Sequence, residues 1–97
     1  GQVCFGPDGK LASAHVGKLG GSISPEAGRE AARLCGLNLL AQAQAALGDL
    51  DRIIRCVRLG GFINAAPDFT ALPAIMNGAS DLMVEVLGDK GRHARST

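Results

Sequence analysis

Asn77-Gly78-Ala79-Ser80-Asp81-Leu82 and, beyond a glycine-bounded turn, Gly91-Arg92-His93-Ala94-Arg95-Ser96-Thr97 are the stretches that decide the fold. The first lies inside a helical pattern. Leu72, Ile75 or Met76, Ala79, Leu82 or Met83, and Val86 recur at three- and four-residue steps and make one apolar stripe. The spacing predicts a helix from about Thr70 to Leu87, capped by Asp68 or Thr70, with Pro73 in its first turn and Gly88 closing it. Asp89-Lys90-Gly91 turns the chain into a strand over Arg92–Thr97. Arg95 therefore stands near the start of that strand. Its planar fork of parallel N–H donors suits it to grip a small carboxylate.

An earlier helix has stronger local signals. Ser24 is a good N-cap, Pro25 fits the first helical position, Glu26 complements the positive end of the dipole, and Gly48 supplies a C-terminal stop. Leu34, Leu37, Leu40, Ala41, Ala45 and Leu47 give its apolar side, while Arg29, Glu30, Arg33 and Gln44 give the wet one. Before it, Gly1–Phe5 and Lys10–Val16 are expected as strands joined by a turn at Gly6-Pro7-Asp8-Gly9. Gly17-Lys18-Leu19-Gly20-Gly21 is a loop whose spacing fits no phosphate-binding motif. Between the helices, Arg52–Leu59 is expected as a strand. Gly60-Gly61 then offers a bulge before Phe62-Ile63-Asn64. The order β-β-α-β-α-β implies an α+β fold, with two amphipathic helices packed on one face of a mixed or antiparallel sheet.

Composition sets limits on function. Hydrophobic residues make up 46% of the 97, yet Phe5, Phe62 and Phe69 are the only aromatics, so aliphatic side chains must build the core. Ten basic and nine acidic residues leave a net charge of +1, which gives no basic face for nucleic acid. Lys90, Arg92 and Arg95, partly offset by Asp89, are the one local excess. Cys4, Cys35 and Cys56 show neither metal spacing nor a disulfide framework, and read as small apolar residues in a reducing compartment. No run approaches the roughly 18 apolar residues of a membrane span. A cytoplasmic location, with no metal or cofactor, is the resulting expectation.

The Asn77–Leu82 and His93-Ala94-Arg95-Ser96 segments together resemble the Rid/YjgF family, labelled endoribonuclease L-PSP, whose best-characterised members are imine/enamine deaminases. The resemblance spans residues 1–97 as a single domain and covers the middle of the family domain. It implies a chorismate-mutase-like fold with a further strand before Gly1 and a hairpin after Thr97. It also implies a homotrimer with sites in clefts between subunits.

The resemblance assigns residues as well. Arg95 would hold the carboxylate of a substrate or bound 2-oxo acid, and Asn77 would lie close by on the helix. As an Asn within an apolar stripe, Asn77 must find partners or lose about 1–3 kcal/mol. Its structural alternative is to cap a loop or bond backbone. Gly1-Gln2 resembles a family strand end whose backbone lines the cleft. Thr97, two residues beyond Arg95 and so on the same side of a strand, is a binding candidate.

His15 and His93 have the pKa for acid–base work but no nucleophile at a recognisable spacing; His93 is expected to position its turn or meet a neighbouring subunit. Asp81 and Glu85, one turn apart, read as a solvated face. Deaminase members usually carry an aromatic soon after the helix Asn, where this chain has only small residues and Ser80. Their water-orienting Glu would fall beyond Thr97.

The expected function is hydrolysis of small reactive imines or enamines such as 2-aminoacrylate to a 2-oxo acid and ammonia. A non-catalytic module that binds a small carboxylate is the alternative. Ribonuclease activity is a third reading, to which charge and aromatic content lend little support.

Overall fold

The computed structural model describes residues 1–97. Its elements in order are helix α1 (Pro25–Leu47), strand β1 (Arg58–Gly60), helix α2 (Leu72–Leu87) and strand β2 (Ala94–Ser96). Short 3-10 turns occupy Ser13–His15, Leu50–Arg52 and Gly88–Gly91. No helix is long and apolar enough to cross a membrane.

The caps of α1 follow from its sequence. Ser24 Oγ accepts from the Ala27 N–H, Pro25 opens the first turn, and Gly48 takes the left-handed conformation at φ 83°. Its packed stripe is rotated from the expected one. Gly28, Gly36 and Leu40 are buried with Ala32 packed beside them, whereas Leu37 is exposed. The difference has a steric cause: Gly36 and Ala32 let α2 approach closely and Gly28 leaves room for Leu19, which a leucine stripe would prevent.

On α2 the buried positions are Ile75, Met76, Gly78, Ala79, Ser80, Leu82 and Met83. It begins two residues later than expected, at Leu72. Its N-cap is Ala71, with no side-chain cap from Asp68 or Thr70.

The core lies where α1, α2 and β1 meet, with Leu40, Leu59, Met76, Ala79, Leu82 and Met83 forming its main cluster. Leu19, Ile23 and Ile75 form a second, smaller one. Leu82 is the most enclosed side chain, at 1% exposure. Leu82→Ala is expected to cost about 2–5 kcal/mol through lost burial and a residual cavity. Chemical denaturation of the two proteins measures it, and a loss under about 1 kcal/mol would show a collapsible core.

The sheet is smaller than expected and parallel. Arg58, Leu59 and Gly60 pair with Ala94, Arg95 and Ser96. The ladder continues through Cys56 N–H to Lys90 O, Ala94 N–H to Val57 O and Gly61 N–H to Ser96 O. Parallel neighbours need a crossover, and α2 provides it. Arg52–Val57 is not strand, and neither are Gly1–Phe5, Lys10–Val16 or Phe62–Asn64. Ile53, Ile54 and Arg55 find no ladder partner, and propensity alone does not make a strand. Ile54 and Val57 stay 88% and 75% exposed.

The turn at Gly6–Gly9 forms as expected, closed by Gly9 N–H to Gly6 O with Gly9 at φ 74°. Its flanks are held to α1 by Asn38, whose amide donates to the Val3 and Phe5 carbonyls. The loop at Leu19 is tied to the later chain by Leu19 N–H to Asn64 O and Ala66 N–H to Leu19 O.

All three cysteines are free and partly buried. Burial, and secondarily the neighbouring Cys4, pushes the Cys35 thiol above its ordinary value of 9.0. Burial raises Cys56 as well. A raised folded value means the folded chain keeps a proton that the unfolded chain gives up. This stabilising contribution is complete below pH 9.0 and is lost as pH rises through the folded value. The fall in Tm above about pH 9 should therefore be shallower in Cys35→Ala, and an identical slope would contradict that coupling.

Candidate functional site

The register of the parallel pair aims Arg95. Arg95 lies opposite Leu59, so the two share the face that Leu59 buries beneath α2. Along α2, Pro73, Asn77 and Ser80 stand at i, i+4 and i+7 and form one stripe beside the apolar one. All three hold the guanidinium. Nη1 donates to Asn77 Oδ1 at 2.6 Å and Ser80 Oγ at 3.2 Å, and Nη2 donates to the Pro73 carbonyl at 3.1 Å.

An arginine carries five N–H donors. Three are spent on α2, which leaves Nε–H and one Nη2–H. The chain has two arginine–carboxylate ion pairs, Arg33–Glu85 at 3.1 Å and Arg92–Asp89 at 3.3 Å, and His15 lies 3.9 Å from Glu30. Arg95 belongs to neither pair. Its partners are all neutral, so its charge is oriented without being compensated.

Asn77 is exposed and does not lie within the apolar stripe. Asn77 therefore carries no burial penalty, and its partner is the Arg95 side chain. Ser80 belongs to the same constellation, and the sequence reading missed it. Its signal was present: on a helix, Ser80 follows Asn77 by three residues and so shares its face. His93 positions its turn as expected. One ring nitrogen, Nδ1, meets the Gly91 carbonyl and the other, Nε2, lies 3.0 Å from Ser80 Oγ.

The structure does not gather the remaining candidates here. Gly1 lines a separate, mostly apolar cavity of about 560 Å³ between α1, β1 and α2, along with Cys4, His15, Leu59 and Met76. Neither Arg95 nor Asn77 lines it. Thr97 is exposed one residue beyond β2. No hydrogen bond joins Gly1 or Thr97 to Arg95. Asp81 and Glu85 are exposed on α2, with Glu85 paired to Arg33 across the two helices. No cluster of three or more His, Cys, Asp or Glu side chains is placed to hold a metal ion.

Two helices over a small parallel sheet, with an uncompensated guanidinium at one strand, define an α+β protein with an anion-ready edge. The chain belongs to the family described as "YjgF/chorismate mutase-like, putative endoribonuclease", whose model matches residues 1–97. It is 47% identical over 90 residues to Protein TCP17 of Trypanosoma cruzi, an alignment covering 92% of this chain and 56% of that protein.

Among solved structures it is similar to the protein Atu1372 of Agrobacterium tumefaciens, whose function is unknown. The TM-score is 0.91 at 40% identity, covering 99% of this chain and 62% of that one. A protein of Shewanella oneidensis MR-1 that carries the endoribonuclease label aligns with a TM-score of 0.88 at 35% identity, covering 99% and 64%. The chain thus spans less than two thirds of the length of these relatives.

Proposed function

We propose that the protein hydrolyses small reactive imines or enamines derived from amino acids, of the 2-aminoacrylate type, to a 2-oxo acid and ammonia. The observation that carries this reading is the Arg95 guanidinium, fixed by three neutral acceptors on α2 and matched by no carboxylate of the chain. Its free Nε–H and Nη2–H offer two charge-assisted bonds to the substrate carboxylate. Anchored there, the imine carbon is presented to water. Such substrates are labile, so positioning and electrostatics supply most of what turnover requires.

Thr97, two residues along, adds its N–H and hydroxyl to the cradle. The backbone near Gly1 closes the cleft in an assembled homotrimer. That assembly gives the exposed Ile54, Val57 and Phe62 a partner surface. A cytoplasmic setting, where such imines arise, fits this reading.

A second reading, a binding module for 2-oxo acids, is favoured by one feature. Both ring nitrogens of His93 are already engaged, so the nearest titratable ring is a positioning group and not a free acid or base. The family label suggests ribonuclease activity, for which a net charge of +1 and three aromatics provide few phosphate or stacking contacts.

Release of ammonia and 2-oxo acid from freshly generated 2-aminoacrylate by the native polypeptide tests the proposal. Acceleration over the spontaneous rate supports deamination. No acceleration, together with measurable 2-oxo acid binding, would transfer the function to the binding module.

A further inference from the structure

We propose that Ser80 and His93 are positioning residues that set the rotation of the Arg95 guanidinium through a one-directional hydrogen-bond chain. This rests on the reading of Arg95 as the carboxylate anchor and adds what aims it.

The direction of the chain follows from donor and acceptor chemistry. The Gly91 carbonyl only accepts, so the His93 Nδ1 facing it carries the proton. In the neutral ring Nε2 is then the acceptor, and the Ser80 hydroxyl 3.0 Å away donates to it. That turns the Ser80 lone pairs toward Arg95 Nη1, which donates at 3.2 Å. The sequence runs Arg95 N–H to Ser80 Oγ, Ser80 O–H to His93 Nε2, and His93 Nδ1–H to Gly91 O. The opposite tautomer would set the Nδ1 lone pair against the carbonyl oxygen and withdraw the acceptor from Ser80.

The middle of this chain and its far end are both anchored on α2. Ser80 is buried on the helix at 9% exposure. Gly91 is pressed against the end of the same helix, where a Cβ would come within 2.2 Å of the Met83 carbonyl oxygen. The carbonyl that fixes the ring thus has little freedom to move. With Asn77 taking the other Nη1 proton, the guanidinium plane is set and Nε–H and one Nη2–H are left for ligand.

The test is the affinity of the native polypeptide for pyruvate, by calorimetry, alongside Tm for each variant. Ser80→Ala and His93→Leu should each weaken binding about tenfold, as loss of one aiming contact implies. His93→Gln, which keeps an acceptor within reach of Ser80, should return affinity to within about threefold of wild type. A purely structural role would move Tm without this rescue.

Loss of binding in Arg95→Ala with wild-type affinity in Ser80→Ala would overturn the positioning chain and leave the anchor standing. Equal weakening in His93→Gln and His93→Leu would also overturn it. Wild-type affinity in Arg95→Ala would overturn the anchor, and the positioning chain with it. Should His93→Leu fail to fold, Ser80→Ala against Ser80→Thr, which keeps the hydroxyl, decides the same question.

Discussion

Arg95→Ala is expected to reduce 2-aminoacrylate turnover and 2-oxo acid affinity by at least about a hundredfold while leaving the fold in place. Two charge-assisted hydrogen bonds at about 1.5–3 kcal/mol each set the upper range. Exposure of the guanidinium argues for the lower end, because solvent screens the charge. At about 1.36 kcal/mol per decade, that lower end is about two decades.

The fold should tolerate the change because Arg95 is exposed and Ala keeps its backbone place in β2, losing only the side-chain bonds to α2. Steady-state kinetics, with circular dichroism as the control for folding, read the effect. A KM increase with kcat preserved would mark Arg95 as an anchor that binds substrate and transition state alike. Unchanged kinetics would remove it from the site.

Gly78→Ala should produce a large loss of stability from a single added methyl. A Cβ at this position would lie 2.0 Å from the Arg29 carbonyl oxygen and 2.9 Å from its carbonyl carbon. Those are backbone atoms of α1, so no side chain can rotate out of the way. Alanine improves helix propensity over glycine by about 1 kcal/mol. Overpacking of a tight contact costs about 1–3 kcal/mol or more, and here the backbone clash puts it at the high end. The net is a loss of about 2 kcal/mol, or roughly 8–16 °C in Tm for a domain of this size.

Gly36→Ala supplies the comparison. Its Cβ would meet the Leu82 Cδ2 at 3.0 Å, a side-chain atom that can shift, so a smaller loss is expected. Equal effects at the two positions would refute the distinction between backbone and side-chain contact. Because Gly78 adjoins Asn77, separation of the helices should also loosen the Arg95 cradle.

The helices were legible because their signals are local. Ser24, Pro25 and Gly48 act within a few residues of the ends they define, and Gly88 closes α2 in the same way. The turn at Gly6–Gly9 was legible for the same reason. The strands were not. Arg52–Val57 has the composition of a strand, yet pairing is decided some thirty-five residues away, where β2 runs only from Ala94 to Ser96. The parallel sense was also hidden, since it depends on α2 acting as the crossover. On α1 a leucine-based stripe misled, because the face that packs is set by how closely α2 approaches Gly36 and Ala32 and by Leu19, which seats against Gly28.

At the site, the resemblance drew attention to Arg95 and Asn77, and the structure places their side chains in contact. Ser80 went unread although its helical spacing from Asn77 was in view. A buried serine announces itself only when a partner such as His93 is seen to reach it.

The central claim is that the free edge of Arg95 receives a carboxylate. A crystal structure of the native polypeptide soaked with pyruvate tests it most directly. The account predicts both carboxylate oxygens within hydrogen-bond distance of Arg95 Nε and Nη2, with Nη1 still bonded to Asn77 and Ser80. Pyruvate seated in the apolar cavity beside Gly1, with Arg95 untouched, would contradict it.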